Sequence, residues 1–345
     1  MRTALAFALV LATAGAHAES FWDKKDTQRR DFLQAIGDRH LSEAKQTAAA
    51  LSAGPSPPPD LVRDFVAEKA RTALVAYEKA LEIGPESLDL HFRAFTAAVF
   101  LAESHDISSA ANREAYDAVV RHVEAVRRLE PLDPREDDLT YQAGIAYSKL
   151  GALGGSDADD NFEKGIREYE HFRGAYGSGL SGDALATTYA NEAELLMAVG
   201  RLDEAIRDYR TAIELNPLEA LGYFGLAVAY DRNGEWSKAV EAMTQASEHG
   251  RGVERLKDPN VFFVPAGDLH YYYGLFQQMR GHAPTAAIEY NRFLQRCKDT
   301  KYAARARAHL SELGPAGEAD LVPVPTPTPT RPAPRAKVPG ASGRR

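Results

Sequence analysis
The chain repeats itself. Shifting Thr187–Pro217 by 34 residues onto Leu221–Ser247 places Tyr189 on Tyr223, Ala193 on Ala227, Leu196 on Tyr230 and Gly200 on Gly234. The same shift places Ala205 on Ala239 and Ala212 on Ala246. A fixed period of this length predicts stacked copies of one small structural unit, not a single closed core. Each unit buries too little apolar surface alone, so neighbours must stack to make a continuous core.

The residue types explain how a unit folds. Ala193 and Ala205 are small where two antiparallel helices cross with little room, and Ala227 and Ala239 repeat the arrangement. Gly200 and Gly234 stand in the turn between the helices, where a positive φ is needed. Tyr209 and Leu196 fill the gap between neighbouring units. Pro217 ends the second helix and sets the step into the next unit.

Weaker copies surround this pair. Ala73, Tyr77, Ala80 and Pro85 carry the second-helix pattern, and a first helix is expected over Leu88–Glu103. Another second helix ends at Pro131. Gly144, Tyr147 and Gly151 stand at first-helix places, with Gly165 and Tyr169 in the partner helix. The last unit has Gly274, Gly281, Ala286 and Tyr290, and Tyr302–Leu313 reads as a terminal capping helix. Three insertions break the spacing: near His105–Asn112, at Gly154–Asp160, and before the last unit, where Gly234 and Gly281 stand 47 apart instead of 34.

These residues resemble the tetratricopeptide repeat family, whose units have this period and these small, aromatic and terminal-proline positions. The resemblance implies an all-α, right-handed solenoid of stacked antiparallel helix pairs with a C-terminal capping helix. About five units are expected over residues 62–314, the best at 183–217 and 220–249. Residues 19–54 look helical but fall into no unit, and 55–61, with the run PSPPPD, read as a rigid break.

The two ends differ from the body. Residues 1–18 have the pattern of a secretory signal peptide: Arg2, a short apolar stretch, then small residues at Ala16 and Ala18. The stretch is too short to span a bilayer, which takes about 20 apolar residues. An exported, periplasmic or extracellular protein is the expectation. Residues 315–345 are proline-rich and basic, a composition that stays extended and mobile. The formal charge of −8 divides unevenly. Arg331, Arg335, Lys337, Arg344 and Arg345 give residues 321–345 a charge of +5, and Arg2 lies in the leader, so the body over residues 19–320 carries −14. Such a body disfavours nucleic acid as a partner. Cys297, the sole cysteine, forms no internal disulfide.

No motif of catalysis, phosphate binding or metal ligation stands out, so neither enzyme activity nor a cofactor is expected. Asp157, Asp159, Asn161, Glu163 and Glu168 fall at the oxygen-ligand places of a calcium loop. Phe162 replaces the glycine its sharp turn needs, and an acidic helix start capped through Asp160 or Asn161 is the simpler expectation. By resemblance, the first helices line a concave groove that holds a partner protein. Its expected contacts are Phe92, Tyr141, Asn191, Glu194, Phe224, Asp231, Arg232, Tyr271 and Gln278. Self-association into a structural assembly is the alternative.

Overall fold
The computed structural model describes residues 2–53, 59–104, 110–249, 251–257, 261, 263–297 and 301–314. Among them are thirteen α-helices and no strand. They stack in consecutive pairs: α1 (Arg2–Ala53) with α2 (Pro59–Leu81), α3 (Leu88–Ser104) with α4 (Ala110–Leu129), and α5 (Glu136–Ala152) with α6 (Ala158–Tyr176). Then come α7 (Gly182–Val199) with α8 (Leu202–Leu215), α9 (Ala220–Arg232) with α10 (Trp236–Glu248), and α11 (Leu269–Met279) with α12 (Ala283–Arg296). The single helix α13 (Ala303–Glu312) closes the order. The fold is thus an α-solenoid of helix pairs with a terminal helix.

Three of the first helices end on one device. Gly200, Gly234 and Gly281 have φ of 88°, 80° and 76°. In each, the glycine N–H bonds to the carbonyl three residues back, and the next N–H reaches five back, as Arg201 does to Leu196 at 2.8 Å. This is the Schellman end that only glycine forms without strain. It reverses the chain within two residues and lays the second helix back on the first.

The crossings are close because small residues face aromatic ones. A Cβ built on Gly144 would lie 3.0 Å from the Tyr169 ring, and one on Gly274 would lie 2.8 Å from Tyr290. Ala193, Ala205, Ala227, Ala239, Ala246 and Ala286 are wholly buried, and Ala212 and Tyr209 nearly so. Pro217 follows the end of α8 at Leu215 and is exposed.

The N-terminal segment belongs to the stack, where the sequence left it without a unit. Gly37 of α1 meets Tyr77 of α2 as Gly144 meets Tyr169, with a built Cβ 2.4 Å from the ring. Asp38 accepts from the Tyr77 hydroxyl at 2.8 Å and from Arg93 of α3 at 2.6 Å. The pairs therefore number six. Residues 2–53 form one helix, and α2 begins at Pro59, inside the expected break, where proline suits a first turn. The expected tail, residues 315–345, lies outside the described residues.

The acidic run at 157–168 is helical from Ala158. Asp157, not Asp160 or Asn161, is the residue before the helix, and its side chain makes no cap bond. Glu168 pairs with Arg127 and Glu163 with Arg201. Asp159 and Asp160 pair with Lys301 and Lys164. Among the described residues no group of three His, Cys, Asp or Glu could hold a metal ion. No helix there is long and apolar enough to cross a membrane.

The last pair leaves the regular stack. The insertion before it, which contains the short 3-10 helices Gly252–Lys257 and Ala266–Asp268, displaces α11 from α10. Tyr272 of α11 reaches Glu194 of α7, two pairs away, and Tyr302 donates to the Met197 carbonyl at the end of α7. The C-terminal helices therefore lie across the inner faces of α7 and α9.

Candidate partner-binding groove
A groove of about 690 Å³ opens along the first helices α3, α5, α7 and α9. Its floor comes from two stripes at helical spacing: Tyr141, Ile145 and Lys149 on α5, and Asp183, Thr187 and Asn191 on α7. Residues four apart on a helix share a face, so each stripe presents a continuous strip to the groove. Arg255 and Val261 of the insertion close one end, and Arg255 is anchored to Glu219 at 3.2 Å.

The lining mixes apolar surface with charge. The Tyr141 ring packs on Phe172 at 5.1 Å between centroids, and burial raises its hydroxyl. Lys149 is buried on α5, and loss of hydration pulls its ammonium down to about 8. Glu103 of α3 is raised by burial and by the neighbouring Asp138 carboxylate, which is itself raised by burial and Asp137. The groove can thus bury an apolar side chain against Tyr141 and Ile145. It can also hold main-chain amides on Asn191, and meet charge at either end.

Of the nine groove residues expected from sequence, the structure brings only Tyr141 and Asn191 together here. Phe92 lies beneath Arg135, whose guanidinium sits 3.7 Å from its ring centroid. Gln278 accepts from the Tyr290 hydroxyl at 2.8 Å and donates to Glu312 of α13. The other five are corrected to buried positions: the chain's own C-terminal helices cover Glu194, Phe224, Asp231 and Arg232, and Tyr271 lies on one of those helices, α11. Phe224 packs edge-on to Phe276 of α11. Glu194 accepts from the hydroxyls of Tyr209 and Tyr272. Asp231 accepts from Tyr271 at 2.5 Å, Arg305 at 2.6 Å and His309 at 2.9 Å. Arg232 pairs with Asp268 at 2.5 Å and stacks on Tyr271 and Tyr302.

The spacing rule could have found Ile145, which lies midway between Tyr141 and Lys149. Nothing in the sequence pointed to Glu103 or Arg255, because their place depends on how the helices and the insertion pack.

Shared glycine ends, small-on-aromatic crossings and an inner groove define a helix-pair repeat protein of the kind that scaffolds protein interactions. Residues 191–249 match the tetratricopeptide repeat family. No curated protein matches the sequence. Among solved structures, the chain is similar to MamA from Desulfovibrio magneticus RS-1, at 16% identity over 59% of this chain and 99% of that one, with a TM-score of 0.40. It is similar to a tetratricopeptide repeat protein from Parabacteroides merdae ATCC 43184, at 13% identity over 82% of this chain and 98% of that one, with a TM-score of 0.40. An assembly chaperone of RpL4 is 17% identical over 79% of this chain and 97% of that one, with a TM-score of 0.41.

Proposed function
We propose that the protein is a non-catalytic adaptor that grips an extended segment of a partner protein in the groove between α3, α5, α7 and α9. The observation that carries this is the meeting of Tyr141 and Ile145 of α5 with Asn191 of α7 in one open groove, with charged groups at its borders. Aromatic faces and a well-placed amide contribute much of the binding energy in such sites, while the rim mainly sets specificity. We also propose export to the cell envelope, which the apolar leader and its small-residue end support. Self-association is the second reading.

The test is photo-crosslinking in the producing cell, with a photoreactive side chain at Ile145 in the groove and a control at the exposed Lys238 of α10. A partner captured from Ile145 alone, and weakened about 5- to 100-fold by Tyr141→Ala or Asn191→Ala with unchanged melting, is the expected result. Equal capture from both positions would overturn the groove reading, and capture of a second copy of the chain would favour self-assembly.

A further inference from the structure
The joint between the C-terminal helices and the body is built differently from the crossings elsewhere in the stack. Regular crossings set small residues against aromatic rings. This joint adds charge against charge and hydroxyl to apolar contacts such as Phe224 on Phe276. Glu194, Asp231 and Arg232 on the body meet Tyr272, Asp268, Tyr271, Arg305 and His309 on the far side. Its polar groups are not all satisfied. Glu194 Oε2, Arg232 Nε and Asp268 Oδ2 are buried and make no hydrogen bond. A buried polar atom without a partner is costly, and opening such a joint returns it to water. One flank is not filled: a cavity of about 650 Å³ lies between Leu153 and Ala158 of the body and Val264, Cys297 and Tyr302 of the C-terminal part.

We propose that α11–α13 form a lid that opens as one unit and uncovers the inner faces of α7 and α9. In the closed state four residues that line the wall are held by the chain itself. Opening frees Glu194, Phe224, Asp231 and Arg232 and lengthens the groove beyond Asn191. The lid thus competes with a partner for the wall, and a partner that binds there holds it open. What the uncovered wall binds rests on the groove reading, whereas the opening itself does not.

Hydrogen exchange of the full chain, followed by mass spectrometry under native conditions, tests this. The amides of α11–α13 are expected to exchange together and at least 10-fold faster than those of α7 and α8. Arg305→Met, which removes one tie from a half-exposed position on α13, should speed α11–α13 a further several-fold and leave α1–α4 unchanged. Asp231→Asn should do the same more strongly, and Arg305→Met keeps the test open if that buried change unfolds the chain. If α11–α13 exchange at the rate of α7 and α8 in the unaltered chain and in Arg305→Met, the lid does not exist. Lid opening that is unaffected by the partner captured from Ile145 would overturn the competition and leave the groove near α5 intact.

Discussion
At the residue scale the most informative side chain is Glu194. It is fully enclosed, and burial, reinforced by Asp268, lifts its carboxyl to about 7 from the usual 4.5. The hydroxyls of Tyr209 and Tyr272 and the charge of Arg232 pull the other way without winning. The folded protein therefore holds a proton that the unfolded chain releases between pH 4.5 and 7. Stability from this group is present below that window and is lost as pH rises through it, up to roughly 3 kcal/mol at 1.36 kcal/mol per pH unit. Glu194→Gln keeps an oxygen for both tyrosines and removes the titration. Urea unfolding at pH 5 and pH 8 should show a difference between the two pH values that is smaller by about 2–3 kcal/mol in the variant than in the unaltered protein. Equal differences would show that Glu194 is ionised throughout. Phe224 makes the complementary case. Its ring is wholly buried against Phe276, so Phe224→Ala should cost about 3–5 kcal/mol in denaturant unfolding. A stable variant with weakened partner binding would restore Phe224 to the groove.

At the scale of the element, a helix joins the stack through one close crossing. Gly37 is the crossing point of α1, against Tyr77. Gly174 of α6 is the control, since nothing lies within 4 Å of a Cβ built there. Gly174→Ala should stabilise by about 0.5–1 kcal/mol through helix propensity alone. Gly37→Ala gains the same propensity but drives a methyl into the ring, and should destabilise by about 1–3 kcal/mol. Thermal melts of the pair decide it, and a stabilised Gly37→Ala would detach α1 from the repeat array. The same logic makes Ala205→Leu and Ala239→Leu each cost about 1–3 kcal/mol by overpacking, since both sites are wholly enclosed. Circular dichroism melts of the two would show a loss at both or count against their equivalence. These elements also show what was legible in the sequence. The glycine ends and small crossings of α7 to α10 were visible because local residue types dictate them. The place of α1 was not, since its partner helix follows beyond the proline run and Gly37 has no turn glycine seven residues on. Groove membership failed for a longer-range reason. Period fixes which face of a helix points inward, but not whether another part of the chain lies on that face.

At the scale of the whole molecule the apolar core is divided. One cluster runs from Leu41 to Leu150 through α1–α5, and a second runs from Phe162 to Ala306 through α6–α13. They meet between α5 and α6, where Gly144 and Gly151 face Tyr169 and Phe162 and the main apolar bridge is Tyr141 of α5 on Phe172 and Tyr169. Polar contacts cross the boundary as well. Arg127 of α4 holds Glu168 of α6 with two bonds of 2.8 and 2.9 Å, and also bonds Glu136 and Thr140 at the start of α5. In a stack where each unit touches only its neighbours, cooperativity depends on such joints. Removing Arg127 strands two mostly buried carboxylates, and with its own head partly in water the loss should be about 1–3 kcal/mol. The loss should also be uneven. In a Trp22→Phe background, Trp236 fluorescence reports the C-terminal half, and far-ultraviolet circular dichroism reports all the helices. Arg127→Met should lower and broaden the dichroism transition while the Trp236 transition keeps its midpoint, because α1–α5 then unfold ahead of the rest. If the two signals fall together by the same amount, the solenoid unfolds as one unit, and the gap between its cores has no energetic meaning.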